Sequence, residues 1–394
     1  MANPDPVFDQ PEYDARVVAV RAAMERSGID ILFCEDPSNM AWLTGYDGYS
    51  FYVHQGVIVT ASGPPIWWGR PMDMAGAWRK SWLPDTHIHA YPDDHVMSED
   101  KHPMDHLGAL IRTLGGGAAR VGVEMENYYY SAKAHAVLTA AVPDAQLVDA
   151  TNLVNWCRLV KSKAELSLMR KAARIVEKMI DGAVERIEPG LPKNQLVADI
   201  YRDATMGVDG AWGDYAAIAP MLPSGPDAAA AHLTWDGKPF QAGEATFFEL
   251  AGCHHRYHVP FCRTVFLGTP PDEMRRAEAA LVDGLNAGID AARPGNRVED
   301  IAAALAKPLA AAGIDRGARC GYSIGLSYPP DWGERTISIR DGDQTELREN
   351  MTLHFMPGIW MDDWGLEITE PIRIRESGPA ECLCDRPREL FVKP

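Results

Sequence analysis

Three histidines lie within five residues in the segment FFELAGCHHRYHVPFCRTVFLG, close after a glutamate. Imidazole and carboxylate groups bind transition metals or move protons, so the segment could form a metal site or an acid–base site. The candidate residues are Glu249, His254, His255 and His258. The spacing H-x-x-x-H brings imidazoles together on a helix, but the flanks favour strands with a turn between them. We therefore predict a long hairpin with its turn at 252–257, on which the histidines need not converge and are most simply polar turn residues.

A second candidate is the segment Gly321-Tyr322-Ser323-Ile324-Gly325, which matches the G-x-S-x-G nucleophile elbow of serine hydrolases. Asp341 and His354 follow in the chain order that such a triad requires. A nucleophile elbow leads directly into a helix, however, and here Pro329 and Pro330 would break one. We therefore reject the serine-hydrolase interpretation.

Composition excludes several classes of protein. Of the 394 residues, 46% are hydrophobic and 24% are charged, which is typical of a globular protein. The net charge of −17 argues against nucleic acid, which calls for a basic face, and leaves a cationic substrate possible. The sequence shows neither a membrane span nor a signal peptide, and its seven scattered cysteines contain no C-x-x-C. These features predict a cytoplasmic protein that binds neither nucleic acid nor membrane.

Two regions of alternating helix and strand signals must position the candidate residues. Up to about residue 150, the signals begin with a helix between Pro11 and Gly28. Strands are then predicted at 30–34 and at 50–60. This alternation predicts a small N-terminal α/β domain.

The second region begins at a capping box, Ser162-Lys163-Ala164-Glu165, and continues with the apolar period of a long amphipathic helix. Long helices end at Pro189-Gly190 and at Pro294-Gly295, about 105 residues apart. A further helix is predicted after each, at 193–206 and at 298–313. The repeat predicts an internal duplication, with two α/β halves facing each other across a site. Two unrelated Pro-Gly helix ends are the alternative interpretation.

The opening of this second region, Arg158-Leu-Val-Lys-Ser162-x-x-Glu165, resembles the start of the catalytic domain in the pita-bread superfamily. That superfamily includes methionine aminopeptidase, aminopeptidase P, prolidase and creatinase. The hairpin ending in 263–266, the Gly-x-x-Ile-Gly segment, and Met356-Pro357-Gly358 in place of Glu-Pro-Gly follow in the family's order. The resemblance covers essentially the whole chain. It implies an α/β (α+β) fold, with a creatinase-like N-terminal domain at 1–157 and a duplicated pita-bread catalytic domain at 158–394.

Metallopeptidases of the superfamily hold two metal ions with two aspartates, one histidine and two glutamates. The resemblance places these ligands at Glu249, Pro260, Tyr322, Met356 and Thr369. Four of the five positions have lost the required type of ligand, and Pro and Met cannot bind a hard metal ion. The sequence therefore predicts no metal ion and no other cofactor.

Longer runs resemble the ectoine hydrolases, a branch of the superfamily that works without metal. The matching runs lie at 39–48, 50–56, 101–105, 232–235, 249–253, 256–258, 321–323, 328–334 and 360–365. Creatinase, another such branch, keeps carboxylates where this chain has Cys262 and Met356, which counts against creatine as substrate. The resemblance implies metal-independent opening of a cyclic amidine ring, that of ectoine, to N-acetyl-2,4-diaminobutyrate.

Ectoine carries a cationic amidine and a carboxylate, so a site for it should offer carboxylates and aromatic faces. We assign three catalytic roles: Glu249 orients or deprotonates water, His232 transfers a proton, and Tyr322 donates a hydrogen bond to the tetrahedral centre. The substrate-binding candidates are Tyr52, His54, His258, Asp331, Trp332, Trp360, Trp364, Glu367 and Glu370. In this family the N-terminal domain of one subunit borders the site of the other. The resemblance therefore implies a homodimer in which Tyr52 and His54 reach substrate across the interface.

Simpler roles and other functions stay open at this point. His232 could be a structural histidine, the tryptophans could belong to the core, and Asp331 and Glu334 could cap a turn. The chain could instead be another amidine or guanidine hydrolase of the creatinase type. It could also be a metal-free pseudoenzyme that serves as a binding module, or a residual metallopeptidase.

Overall fold

The computed structural model describes residues 5–315, 317 and 319–394. The chain divides into two compact units, Met1–Cys157 and Arg158–Pro394. None of the described helices combines the length and the apolar character that crossing a membrane requires.

The N-terminal unit is a six-stranded mixed sheet with helices on both faces. Its helices are α1 (Gln10–Arg26), α2 (Pro37–Thr44), α3 (Met74–Lys80), α4 (Pro103–Thr113), α5 (Ala132–Ala141) and α6 (Leu153–Arg158). Its strands are β1 (Ile31–Cys34), β2 (Gly56–Thr60), β3 (Ile66–Gly69), β4 (Ile88–Ala90), β5 (Arg120–Val123) and β6 (Gln146–Asp149), in the spatial order β4-β3-β2-β1-β5-β6. Leu32 and Cys34 of β1 join one core cluster, while Ile31 and Phe33 join another. Both faces of β1 are therefore buried, which explains its continuous apolar sequence.

The strand predicted at 50–60 forms only from Gly56 onward. Before it, the backbone N–H of Val53 donates to the carbonyl of Ser50 at 3.1 Å, which closes a turn. Residues 50–55 contain strand-favouring side chains, but local turn hydrogen bonding determines the backbone here.

The C-terminal unit contains two helix pairs and antiparallel strands. Its helices are α7 (Lys163–Arg186), α8 (Lys193–Met206), α9 (Asp272–Ala291) and α10 (Val298–Ala311). Its strands are β7 (Ala245–His254), β8 (Tyr257–Leu267), β9 (Gly321–Ile324), β10 (Gly333–Ser338), β11 (Thr352–Phe355), β12 (Gly358–Trp360), β13 (Gly365–Glu367), β14 (Glu370–Arg373), β15 (Glu381–Cys382) and β16 (Phe391–Lys393). The sheets have the orders β10-β9-β11-β14-β15, β12-β13 and β16-β8-β7. Each helix pair precedes antiparallel strands, which is the repeat predicted from the two Pro-Gly helix ends.

The start of α7 has the predicted capping box. The Ser162 hydroxyl accepts from the backbone N–H of Glu165 at 3.1 Å, and the Glu165 carboxylate accepts from the N–H of Ser162 at 2.8 Å. The helix then packs on the β7–β8 hairpin. A Cβ at Gly252 of β7 would lie 2.0 Å from the backbone oxygen of Ala172, so only glycine permits this close approach.

The β7–β8 hairpin holds Glu249 opposite Cys262 and is longer than the sequence predicted. The predicted turn spanned 252–257, but His254 pairs with Tyr257 and only His255 and Arg256 form the turn. Their φ angles are +48° and +66°, as a two-residue turn of type I′ requires. This turn has the same right-handed twist as the strands it joins, so the ladder continues almost to its end.

Candidate active site

Two buried carboxylates form the centre of the candidate site. Glu249 on β7 is 4% exposed and Glu367 at the end of β13 is 1% exposed. Burial, together with the charge of Glu367, raises the pKa of Glu249 well above its usual range. Within the described residues 5–315, 317 and 319–394, no side chain or backbone N–H donates a hydrogen bond to the Glu249 carboxylate. The pair is thus suited to hold a proton between its members or to bind a cation.

Tyr322 on β9 lies beside this pair and has a firmly placed hydroxyl group. The indole N–H of Trp332 donates to the Tyr322 oxygen at 2.6 Å. Burial and the charge of Glu249 raise the pKa of Tyr322 well above its usual range, so the phenol is protonated at neutral pH. The Asp331 carboxylate accepts from the N–H of Gly333 at 2.9 Å, and it is among the charges that act on Tyr322. Tyr322, Asp331 and Trp332 are therefore brought together near Glu249, as the sequence suggested.

A buried histidine that sequence reasoning did not place in the site connects Tyr322 to Thr369. His354 on β11 pairs with Tyr322 on β9, so both side chains lie on the same face of the sheet. Its Nδ1 is 3.1 Å from the Tyr322 hydroxyl, and its Nε2 is 2.8 Å from the Thr369 hydroxyl. Burial lowers the pKa of His354 from 6.5 to about 3, so the ring is neutral. The sequence signal that could have pointed to His354 is its position two residues before Met356, one of the positions where the resemblance places a metal ligand. Its pairing with Tyr322, however, depends on the register of the sheet.

The hairpin histidines have structural roles. His258 is fully buried, and its Nε2 accepts from the backbone N–H of Ala217 at 2.9 Å. Its Nδ1 donates to the carbonyl of Arg256 at 2.9 Å, so both ring nitrogens are occupied. His254 uses its Nδ1 to bond the carbonyl of Trp212 at 2.8 Å. Contrary to the expected substrate contact, His258 has no ring nitrogen left for a ligand.

Glu370 also differs from the expectation of a substrate-binding carboxylate. It accepts from the guanidinium of Arg263 at 2.7 Å and from that of Arg388 at 3.2 Å. Its charge is compensated within the protein, whereas Glu249 faces another carboxylate.

The predicted tryptophans occupy different environments. Trp332 is 1% exposed and contacts Tyr322, as described above. Trp364 is half-buried and packs against the core cluster of α9, α10 and the adjoining sheet, which corresponds to the simpler role considered for it. Trp360 is also half-buried, and its ring lies where a Cβ at Gly358 would otherwise stand. Trp332 is therefore the tryptophan that the structure brings to the buried carboxylates.

His232 is exposed and lies in a turn after the short helix Gly225–Ala229. Among the described residues, its ring makes no hydrogen bond or ion pair, and its catalytic role stays a prediction. Its place in the sequence motif suggested a catalytic position, but a motif carries no information about exposure.

Tyr52 and His54 lie in the N-terminal unit. They line a pocket of about 230 Å³ together with Tyr91, His95, Lys101, His102 and other residues of that unit. Tyr52 is 62% exposed, while His54 donates from Nδ1 to the buried carboxylate of Glu35 at 2.5 Å. Burial alone would lower the pKa of His54, but the hydrogen bond to Glu35 outweighs it and the net shift is upward. The Glu35 carboxylate therefore favours the cationic form of the imidazole at this pocket, which would suit an anionic group.

Comparison with known proteins assigns the family. The Creatinase/Prolidase N-terminal domain matches residues 16–160, and Metallopeptidase family M24 matches residues 167–376. The chain belongs to metallopeptidase family M24. It is 54% identical to the ectoine hydrolase of Halomonas elongata over 98% of each chain, and 38% identical to an uncharacterized hydrolase/peptidase of Sinorhizobium fredii, again over 98% of each. Among solved structures, dipeptidase PepE from Mycobacterium ulcerans matches with a TM-score of 0.81 at 24% identity, over 98% of this chain and 99% of that one. These matches confirm the predicted superfamily and its pita-bread fold.

This M24 chain does not have the donor atoms for the dinuclear metal site of its peptidase relatives. Glu249 pairs with Cys262 and Pro260 with Ala251, so Glu249 and Pro260 lie diagonally on one face of the hairpin. Pro260 has no side-chain donor atom, and the hydroxyls of Tyr322 and Thr369 are bonded to His354. Among the described residues, no group of three or more His, Cys, Asp and Glu side chains could hold a metal ion. The side chains at these positions form a hydrogen-bonded group instead.

Proposed function

We propose that this chain hydrolyses the amidine ring of ectoine, to N-acetyl-2,4-diaminobutyrate, without a metal ion. The observation that carries the proposal is the buried pair Glu249 and Glu367, in which the charge of Glu367 acts on the carboxyl group of Glu249. Burial and the charge of Glu367 both disfavour the ionised form of Glu249, and a cationic amidinium bound beside Glu249 would favour that form. The 54% identity to a named ectoine hydrolase supports the same substrate.

The reaction follows from the positions of these groups. A water oxygen attacks the amidine carbon while Glu249 takes one of the water protons. The Tyr322 hydroxyl donates a hydrogen bond to the oxygen now bound to carbon. The carbon–nitrogen bond of the ring then breaks, and His232 gives a proton to the leaving nitrogen. The products are an amide and an ammonium group. Glu249 then releases its proton and His232 regains one, so the reaction takes up no net proton.

We further propose that the aromatic and acidic side chains around Tyr322 bind the amidinium, with Trp332 and Asp331 nearest. In a cytoplasmic homodimer, Tyr52 and His54 of a second copy would contact the substrate carboxylate. The exposure of Tyr52 and the cationic tendency of His54 support this arrangement. The remaining candidates, Trp360 and Trp364, are proposed to border the site.

The test uses purified protein, treated with a chelator and checked for bound metal, with ectoine as substrate and product followed by proton NMR. Wild type is expected to release N-acetyl-2,4-diaminobutyrate at the same rate before and after chelation. Glu249→Gln keeps the shape of the side chain but removes the base, and should lower kcat by about 100-fold or more. His232→Ala should lower kcat as well. If both variants kept a kcat near that of wild type, the roles would be assigned wrongly.

Parallel assays separate the other functions. Turnover of creatine in place of ectoine would indicate a guanidine hydrolase. Tight ectoine binding without product would indicate a binding module, and activity that depends on a stoichiometric transition metal would indicate a residual metallopeptidase. Each of these results would overturn the proposal.

A further inference from the structure

The hydroxyls of Tyr322 and Thr369 are joined by one imidazole, and each already accepts a hydrogen bond from elsewhere. The indole N–H of Trp332 donates to Tyr322 at 2.6 Å, and the backbone N–H of Cys262 donates to Thr369 at 2.8 Å. Each hydroxyl therefore has one proton of its own to place. The neutral ring of His354 carries a single N–H, which sits on either Nδ1 or Nε2.

The position of that N–H decides where the Tyr322 proton points. If Nε2 of His354 is protonated, Nδ1 is an acceptor and Tyr322 donates its proton to the ring. If Nδ1 is protonated, Tyr322 accepts from the ring and its own proton is directed elsewhere. Tyr322 is 9% exposed and lies within the electrostatic reach of Glu249 and Glu367, whereas Thr369 is 0% exposed. In the second case the Tyr322 O–H can therefore donate to water or to a ligand beside these carboxylates.

Thr369 favours the second case. Its side chain is fully buried, and within the described residues Nε2 of His354, at 2.8 Å, is the acceptor in contact with its hydroxyl. With Nε2 protonated, the Thr369 hydroxyl would receive two hydrogen bonds and its own proton would have no acceptor. A buried donor without an acceptor is costly. The hydroxyl of Thr369 therefore donates to Nε2, which leaves the ring proton on Nδ1.

We propose that Thr369 holds His354 in the Nδ1–H tautomer, and that His354 thereby directs the hydroxyl proton of Tyr322 toward the substrate. His354 and Thr369 are then positioning residues for the reaction, and Tyr322 is the catalytic donor. The inference rests on the proposed ectoine hydrolysis for its kinetic consequence, but the tautomer can be measured without substrate.

Two isosteric variants of His354 test the direction of hydrogen bonding. In His354→Asn the amide N–H stands near the position of Nδ1 and can still donate to Tyr322. In His354→Gln the amide stands near Nε2, and the contact to Tyr322 is lost. We expect kcat for ectoine to fall by about 100-fold in His354→Gln, as for loss of one oxyanion donor, and by less than about tenfold in His354→Asn. KM should change little in either variant.

A purely structural role for His354 predicts a different pattern. Both variants would then lose activity equally, and that result would overturn the proposal. If His354 acts through Tyr322, adding His354→Gln to Tyr322→Phe should lower kcat little further, because the donor is already absent. Additive losses in the double variant would also contradict the proposal.

The spectroscopic test uses wild-type protein labelled with ¹⁵N-histidine and no substrate. The His354 signal, identified by its disappearance in His354→Gln, is expected to show a protonated Nδ1 and an unprotonated Nε2. A protonated Nε2 would overturn the inference even if ectoine were hydrolysed. A protonated Nδ1 in a protein that does not hydrolyse ectoine would overturn the proposed function and leave the hydrogen-bond arrangement intact.

Discussion

A buried ion cluster next to the site gives a quantitative stability prediction. The ammonium of Lys161 donates to the Glu334 carboxylate at 2.8 Å, and to the carbonyls of Arg158 and Leu159 at 2.8 and 3.1 Å. The Arg158 guanidinium lies 3.6 Å from the other carboxylate oxygen. The Lys161 and Glu334 side chains are 0% and 1% exposed. Glu334 therefore has a structural role beyond that of the turn cap considered from the sequence.

Replacing Lys161 by methionine keeps most of the volume but removes the charge and all three donors. Of the two ion pairs that Glu334 forms among the described residues, the more distant one to Arg158 is left, and two carbonyls lose their donor. Breaking one partner of a buried ion pair costs about 3–5 kcal/mol, and we expect a loss of unfolding free energy in that range. The matched control is Arg275→Met, which breaks a 2.8 Å pair with Glu278 in which Arg275 is 44% exposed. Such a surface pair contributes about 0.2–1 kcal/mol.

The measurement is urea unfolding followed by circular dichroism and tryptophan fluorescence, with both variants compared to wild type. The double variant Lys161→Met/Glu334→Leu should be more stable than Lys161→Met alone, because it removes the unpaired charge as well. A loss in Lys161→Met no larger than in Arg275→Met would refute the reasoning. It would mean that Glu334 becomes protonated, or reaches water, at little cost.

Two further outcomes follow from the structure. Burial lowers the pKa of His354 from 6.5 to about 3, so the neutral ring stabilises the fold above pH 6.5, and this stability is lost as the pH falls toward 3. Removing the ring in His354→Asn should therefore reduce the loss of unfolding free energy between pH 8 and pH 5 by about 2 kcal/mol. Equal pH dependence of unfolding in wild type and variant would contradict this. Gly252→Ala places a Cβ 2.0 Å from the carbonyl oxygen of Ala172, so thermal unfolding should show a loss of about 1–3 kcal/mol in unfolding free energy. The control is Gly237→Ala, where an added Cβ would meet no atom within 4 Å. Equal losses in the two variants would argue against the contact.

Local signals in the sequence were sufficient for the helices and the long hairpin of the C-terminal unit. The capping box at Ser162 and the apolar period after it located α7, and the helix predicted at 193–206 is α8, Lys193–Met206. These features depend on neighbours within one or two turns of helix, which the sequence displays directly. The hairpin was predicted for the same reason. Its turn was placed too wide, because a two-residue turn is set by positive φ angles at His255 and Arg256, where the sequence has no glycine.

The site could be predicted only in part, because hydrogen-bond partners depend on the register of strands far apart in the chain. Glu367 and Glu370 were equivalent candidates in the sequence. In the structure Glu370 faces Arg263, while Glu367 acts on Glu249. His354 was met in the sequence only as part of a rejected serine triad. Its importance arises from the β9–β11 register, which places it opposite Tyr322.

The replacements at the former metal positions are consistent with one another chemically. A dinuclear metal site supplies positive charge to hold carboxylates together and to polarise the substrate. In this chain the proposed substrate is itself the cation, so Glu249 and Glu367 can remain as its counter-charge without a metal. A reaction without metal, as proposed, needs another fixed electrostatic partner for the developing tetrahedral centre. The Tyr322 hydroxyl can provide that partner only if its proton is directed, and the buried contact from Thr369 through His354 is what directs it. In the proposed reaction, the roles of Tyr322 and Thr369 therefore depend on the histidine between them.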